Sequence, residues 1–216
     1  MTKLFAILGT GLLVAVSAQA ADVEELIKNL GSKDSDVRRA AAKSLGEIGM
    51  EAKPALPALV KALRDDDKFV RRFSAQSIGE LGVEGKVAVP ALTAALKDSA
   101  KEVVDAATTA LVKVGPDGVT PLTILLRDKK NDLAARKAAA GALGSMGKDV
   151  PMSVITALSD ALKDNEIRIA AVMALGELGP EAKSAAEAIT SSLKDNKDRN
   201  YRRAANESLK KIQSPK

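Results

Sequence analysis

Apolar and polar positions along this chain recur together at intervals of 32 to 34 residues, with Arg38, Arg71, Val104, Arg136, Arg168 and Arg202 as equivalent points. One residue before each stand Val37, Val70, Val103, Ala135, Ile167 and Tyr201. Three after it the residue is small: Ala41, Ser74, Ala107, Ala139, Ala171 or Ala205. Seven after it come Leu45, Ile78, Leu111, Leu143, Leu175 and Leu209, and ten after it Ile48, Leu81, Val114, Met146, Leu178 and Ile212. These offsets lie on one face of an α-helix. Each repeat therefore predicts one long amphipathic helix, called helix B below.

The ends of that helix are equally regular. Gly49, Gly82, Gly115, Gly147 and Gly179 follow the last apolar position, where a left-handed C′ residue is expected to stop it. Gly46 and its equivalents read as further helix-end residues. Two residues past each stop come Glu51, Glu84, Asp117, Asp149 and Glu181, suited to the N-terminus of a following helix. Pro57, Pro90 and Pro121 then suit a first helical turn. A shorter helix A is expected over 57–63, 90–96, 121–126, 155–162 and 188–193, with 23–30 opening the series. The unit is helix A, loop, helix B, glycine. Its boundaries are 22–49, 50–82, 83–115, 116–147, 148–179 and 180–213. Helix pairs at this period stack as a solenoid, each unit burying its apolar face on its neighbours.

The pattern Asp-x-x-Val-Arg-x-x-Ala-x-x-x-Leu-Gly-x-Ile-Gly, carried by Asp34 to Gly49 and closely matched by Asp67 to Gly82 and Asp164 to Gly179, resembles the short HEAT repeat found also in phycobilisome-lyase-like proteins. The resemblance implies an all-α, right-handed solenoid of about six two-helix units over residues 21–216. The pairs Asp34/Arg38, Asp67/Arg71, Asp132/Arg136, Asp164/Arg168 and Asp198/Arg202 are i, i+4, and the third repeat loses both members at Ala100 and Val104. Each pair is therefore expected to be a partnership within its own repeat. The resemblance adds that such pairs stack into a structural ladder.

Composition supports a helical core. Aromatic residues make up 2% of the chain, so Leu, Ile, Val and Ala must fill the interior. Residues 1–20 stand apart: Lys3 is followed by an apolar run from Leu4 to Val16 and by Ala18-Gln19-Ala20. This is the layout of a secretory signal peptide cleaved before Ala21, and the run falls short of the roughly 20 residues of a spanning helix. A periplasmic or secreted protein with no transmembrane segment after cleavage is expected, and a monomer. Basic residues concentrate in 193–216, which holds Lys194, Lys197, Arg199, Arg202, Arg203, Lys210, Lys211 and Lys216 against three acids.

The chain has no His and no Cys. Triads, His acid–base work and ordinary zinc sites are thereby removed, and Asp65-Asp66-Asp67 lacks calcium-loop spacing. No catalytic, cofactor or metal residue is assigned, and no enzyme is expected. What remains is an exposed stripe one, five and nine residues after each reference arginine. Candidate partner-binding residues on it are Arg39, Lys43, Arg72, Gln76, Glu80, Lys137, Ile169, Met173 and Arg203. Ile169 and Met173 are apolar where other repeats are polar. The resemblance places helix B on the concave, binding side, so a protein partner docking there is the leading reading. Polyanion binding through the basic C-terminal repeat is the alternative, with nucleic acid disfavoured by the lack of stacking aromatics. Bilin-lyase-like activity is suggested only by the resemblance.

Overall fold

The computed structural model describes residues 22–147, 150–194 and 196–214, in which the period becomes alternating short and long helices. The short ones are α1 (22–29), α3 (Leu56–Ala62), α5 (Val89–Ala95), α7 (Val119–Arg127), α9 (Met152–Ala161) and α11 (Ala186–Leu193). The long ones are α2 (Ser35–Ile48), α4 (Lys68–Glu80), α6 (Lys101–Val114), α8 (Leu133–Gly144), α10 (Arg168–Leu178) and α12 (Arg199–Gln213). Long helices pack on long in chain order, and α3, α5, α7, α9 and α11 each lie against the long helix that follows. The molecule is an all-α solenoid. The segment 1–20, Ala21, Asp149, Asp195 and Lys216 lie outside the described residues.

The periodic apolar positions form its core: Leu45, Ile78, Leu111, Leu143 and Leu175 are buried, and so are the small residues from Ala41 to Ala205 three positions after the arginine. The ends of the stack depart from the pattern. Val37 is exposed and Leu209 only half-buried, because the terminal units have a neighbour on one side alone.

Asp34, Asp67, Asp132 and Asp198 start helices as N-caps, their carboxylates accepting backbone N–H groups of the first turn. At the other end the glycines do have positive φ, but Gly49, Gly115 and Gly179 combine φ of 71°, 92° and 58° with ψ of −132°, −141° and −135°. That is the corner of a II′ turn rather than the left-handed helical conformation expected, and it is closed to side chains that tolerate the latter. The corner leads into a 3-10 helix, as over Gly49–Ala55, Gly82–Ala88 and Gly179–Ala185. Small residues three apart (Ala52/Ala55, Gly85/Ala88 and Ala182/Ala185) are buried there at the three-residue period of that helix.

Gly46, Gly79 and Gly176 lie inside their helices rather than ending them, and only Gly144 closes one, α8. A Cβ on Gly144 would stand 2.7 Å from the Ala174 Cα, and one on Gly176 2.5 Å from the Ser208 Oγ. They let successive long helices touch. In the third repeat the slot holds Val112, and the α6–α8 contact is the smallest between successive long helices.

The within-repeat Asp/Arg partnerships are not formed. Asp34/Arg38, Asp67/Arg71, Asp132/Arg136, Asp164/Arg168 and Asp198/Arg202 make no ion pair, although capping leaves a carboxylate able to take an arginine from another repeat, as Asp67 takes Arg39 and Asp198 takes Arg168. Each arginine instead reaches the next repeat. Arg38 grips Asp65 through Nε at 2.7 Å and Nη2 at 2.9 Å, and Arg71 grips Asp98 with the same two distances. Arg136 donates to Asp164 at 2.7 Å and Arg168 to Asp198 at 3.2 Å. Further nitrogens of three of them serve carbonyls at the end of the preceding short helix or in the turn after it: Ser32 and Lys33 for Arg38, Asp65 and Asp66 for Arg71, Leu126 for Arg136; the Arg168 Nη1 donates instead to the Asn165 side chain at 2.9 Å. The planar five-donor fork of arginine meets both needs at once. Arg202 donates to the carbonyls of Leu193 and Asn196 and pairs with no carboxylate among the described residues. The joint absence at Ala100 and Val104 is therefore not the loss of two partners. Asp98 caps the Ala100 N–H and takes Arg71, while Val104 leaves the junction from third to fourth repeat without a rung.

The candidate interaction surface

The stripe divides into parts. On α2, α4 and α6, Lys43, Arg72, Gln76 and Glu80 converge with Glu47, Asp105, Thr109 and Lys113 around one cleft of about 610 Å³. Gly46 and Gly79 form its floor, where the helices approach most closely. Arg39, placed on the stripe by sequence, serves the stack instead. Its Nε donates to Asp67 at 2.9 Å and it also pairs with Asp36, so it makes a second rung beside Arg38. Lys137 and Arg203 are exposed on α8 and α12, away from the cleft, and Arg203 pairs with Glu207 at 3.0 Å. Ile169 is half-buried against the core, whereas Met173 is 53% exposed. The turn before α10 differs from the others: Asp164 caps the Glu166 N–H and takes Arg136, and α10 begins at Arg168.

Charges lining the cleft are mostly neutralised. Glu47 pairs with Lys43 at 3.3 Å, Glu80 with Lys113 at 2.6 Å, Glu102 with Lys68 at 3.4 Å and Asp105 with Lys101 at 2.6 Å. Arg72 forms no ion pair, but its charge adds to a backbone hydrogen bond and to Lys68 in lowering the Glu102 carboxyl. Its guanidinium carbon lies 4.4 Å from the Phe73 ring centroid and 5.6 Å from that of Phe69, and its Nε is buried without an acceptor. Phe69 also receives Arg39 at 5.1 Å and Lys68 at 5.2 Å. The sequence does carry a signal for this pair, since Phe69 and Phe73 are the only phenylalanines after Phe5 and stand i, i+4 on one helix.

Carboxylates in the rungs are held ionised. Burial raises the Asp65 and Asp98 carboxyls, but the hydrogen bonds from Arg38 and Arg71 and from the Asp67 and Ala100 N–H groups leave both below the ordinary carboxylate range. Arg39 holds Asp67 well below that range, and Arg136 lowers Asp164. The acidic cluster 65–67 is thus engaged twice over by arginines. Among the described residues, no helix is long and apolar enough to cross a membrane.

Stacked helix pairs and an open cleft across successive long helices define a repeat scaffold of the recognition type. A family model described as HEAT repeats matches residues 23–112, 56–144 and 154–216, and the chain belongs to that family. Among solved structures it is similar to an engineered protein (26% identity, TM-score 0.52, covering 88% of this chain and 96% of that one). It is also similar to the complex of CpcE and CpcF of phycocyanin lyase from Nostoc (25% identity, TM-score 0.54, covering 88% and 76%). A designed armadillo repeat protein crystallised with the peptide (KR)4 shares the fold at 22% identity, TM-score 0.53, covering 87% and 98%. No match was found among curated protein sequences.

Proposed function

We propose that this chain is an exported, non-catalytic scaffold that binds a protein partner in the cleft across α2, α4 and α6. The observation that carries the reading is the convergence of Lys43, Arg72, Gln76 and Glu80 from two helices on one cleft floored by glycines. These side chains are not needed to hold the stack, which uses Arg38, Arg71, Arg136 and Arg168. Export rests on the charge and apolar pattern of residues 1–20, and the absence of a reaction on a chain without His or Cys.

Photo-crosslinking in the native cell tests the site. A benzophenone side chain at Gln76 is expected to trap a discrete protein, and one at exposed Ile124 on α7 is expected not to. Equal trapping at both positions, or none at Gln76, rejects the cleft. N-terminal sequencing of the recovered protein is expected to begin at Ala21, and an intact Met1 in the cytosolic fraction rejects export.

A further inference from the structure

We propose that the opening between the third and fourth repeats binds a guanidinium group from another molecule, in the place of the missing rung. The inference goes beyond the cleft across α2, α4 and α6 and does not depend on it. Four junctions of the stack are closed by an arginine of the preceding repeat. The junction before α8 has Val104 instead, beside an opening of about 500 Å³.

The receiving half of the rung is nevertheless complete. Asp132, Asp164 and Asp198 each stand four residues before the reference position of their repeat. In Asp164 and Asp198 one carboxylate oxygen accepts from the backbone and the other takes an arginine, at 2.7 Å from Arg136 and 3.2 Å from Arg168. In Asp132, Oδ2 accepts the Ala134 and Ala135 N–H groups at 2.9 and 3.3 Å, and among the described residues Oδ1 has no donor. The carbonyls recur as well. Arg38 and Arg71 donate through Nη1 to the carbonyls six and five positions before them. The equivalents in the third repeat, Asp98 and Ser99, line the opening together with Asp132.

The surroundings favour a guanidinium over an ammonium. Asp98 is held by Arg71 and Asp105 by Lys101, so Asp132 is the one lining carboxylate without an ion pair. Lys97 and Lys130 are exposed at the same opening, and neither pairs with it. A basic neighbour does not bar an arginine, since Arg64, Lys97 and Lys163 directly precede Asp65, Asp98 and Asp164, each of which takes one. The planar fork can meet a carboxylate and a carbonyl at once, and its weakly hydrated face can lie on Leu96, Val104 and Ala135. An ammonium is a compact, strongly hydrated point charge and does neither.

The test titrates the full chain with ethylguanidinium and with n-butylammonium at fixed ionic strength, read by the backbone amide resonances of Ser99, Val104 and residues 131–135. An exposed pair is weak, so a dissociation constant of about 10 mM is expected for ethylguanidinium, about threefold or more tighter than for the ammonium. Asp132→Asn keeps the helix cap, since asparagine caps as well as aspartate, and is expected to lose that preference. Val104→Arg supplies the rung from within and is expected to abolish the titration. Should that variant fold poorly, Asp132→Asn and the two probes still decide. Equal binding of the two probes, or a guanidinium titration undiminished in Asp132→Asn, overturns the site, as does the absence of any shift at about 50 mM. Free arginine and a Gly-Arg-Gly tripeptide blocked at both ends distinguish the sources of the group. The tripeptide binding as tightly as ethylguanidinium supports a polypeptide side chain, and free arginine alone doing so supports a small molecule. Binding of neither overturns the proposal.

Discussion

Gly141 and Gly144 lie three residues apart on α8 and have opposite reasons to exist. A Cβ on Gly141 meets nothing within 4 Å, while one on Gly144 runs into the backbone of α10 at Ala174. Gly141→Ala is expected to stabilise by about 0.5–1 kcal/mol, since only the helix preference of alanine changes. Gly144→Ala is expected to destabilise by about 1–3 kcal/mol, as overpacked contacts do. Urea melts of the two variants check both, and a loss in each would mean that the long helices are less closely placed than described. The repeat separates them, since Gly144 shares the slot of Gly46, Gly79 and Gly176 while Gly141 falls on the exposed stripe; the contact with Ala174 that gives the slot its reason is visible only in three dimensions. Gly115 carries a similar lesson: its stop was legible, but a II′ corner and a left-handed cap call for the same residue type.

The long helix and its rung form the next scale. Arg136 is 2% exposed, and its removal strands the Asp164 carboxylate at a packed junction. Arg136→Met is expected to cost about 3–5 kcal/mol at pH 7, the range for breaking a buried pair from one side. The pH dependence has a definite sign. Asp164 is depressed in the folded protein, first by the Arg136 hydrogen bond, so its contribution is present above about pH 4 and is lost as pH falls through the lower folded value. Stability of the parent should therefore drop on acidification below about pH 4, and the Arg136→Met variant should show less of that drop. Parallel slopes in melts from pH 7 to 2 would remove the linkage. The period, the helix faces and the presence of matched Asp and Arg were all legible from spacing. The direction of pairing was not, because i, i+4 proximity on a helix and a reach across 27 to 30 residues use the same two residue types. Asp67 caps its helix and takes Arg39 together, so what only the fold decides is which repeat supplies the arginine.

Across the whole molecule the stack is uneven. Between the third and fourth repeats Val104 stands where an arginine would make a rung and Val112 where a glycine would let helices meet, and a cleft of about 500 Å³ opens beside Val104 and Asp132. In a linear array stability is a sum over neighbour interfaces, so this joint is the weak one. Hydrogen exchange read by mass spectrometry is expected to show two blocks, α2–α6 and α8–α12, each with common protection and differing from each other. One protection value shared across the joint would show that it couples as well as the others. The candidate site followed the same uneven legibility: the stripe was visible as polar residues at helical spacing, whereas the engagement of Arg39 in the stack and the packing of Arg72 on rings depend on Asp67, Phe69 and Phe73 in three dimensions.

The rung is also a connector with a direction, an arginine plug in one unit and an aspartate socket in the next. Residues 50–82 carry both halves, Asp65 and Arg71, so a chain lengthened by copying them would gain a unit that mates at either side. Residues 83–115 carry the socket Asp98 and no plug, so a copy of that unit would take a rung from the unit before it and pass none on, adding a second joint like the one before α8.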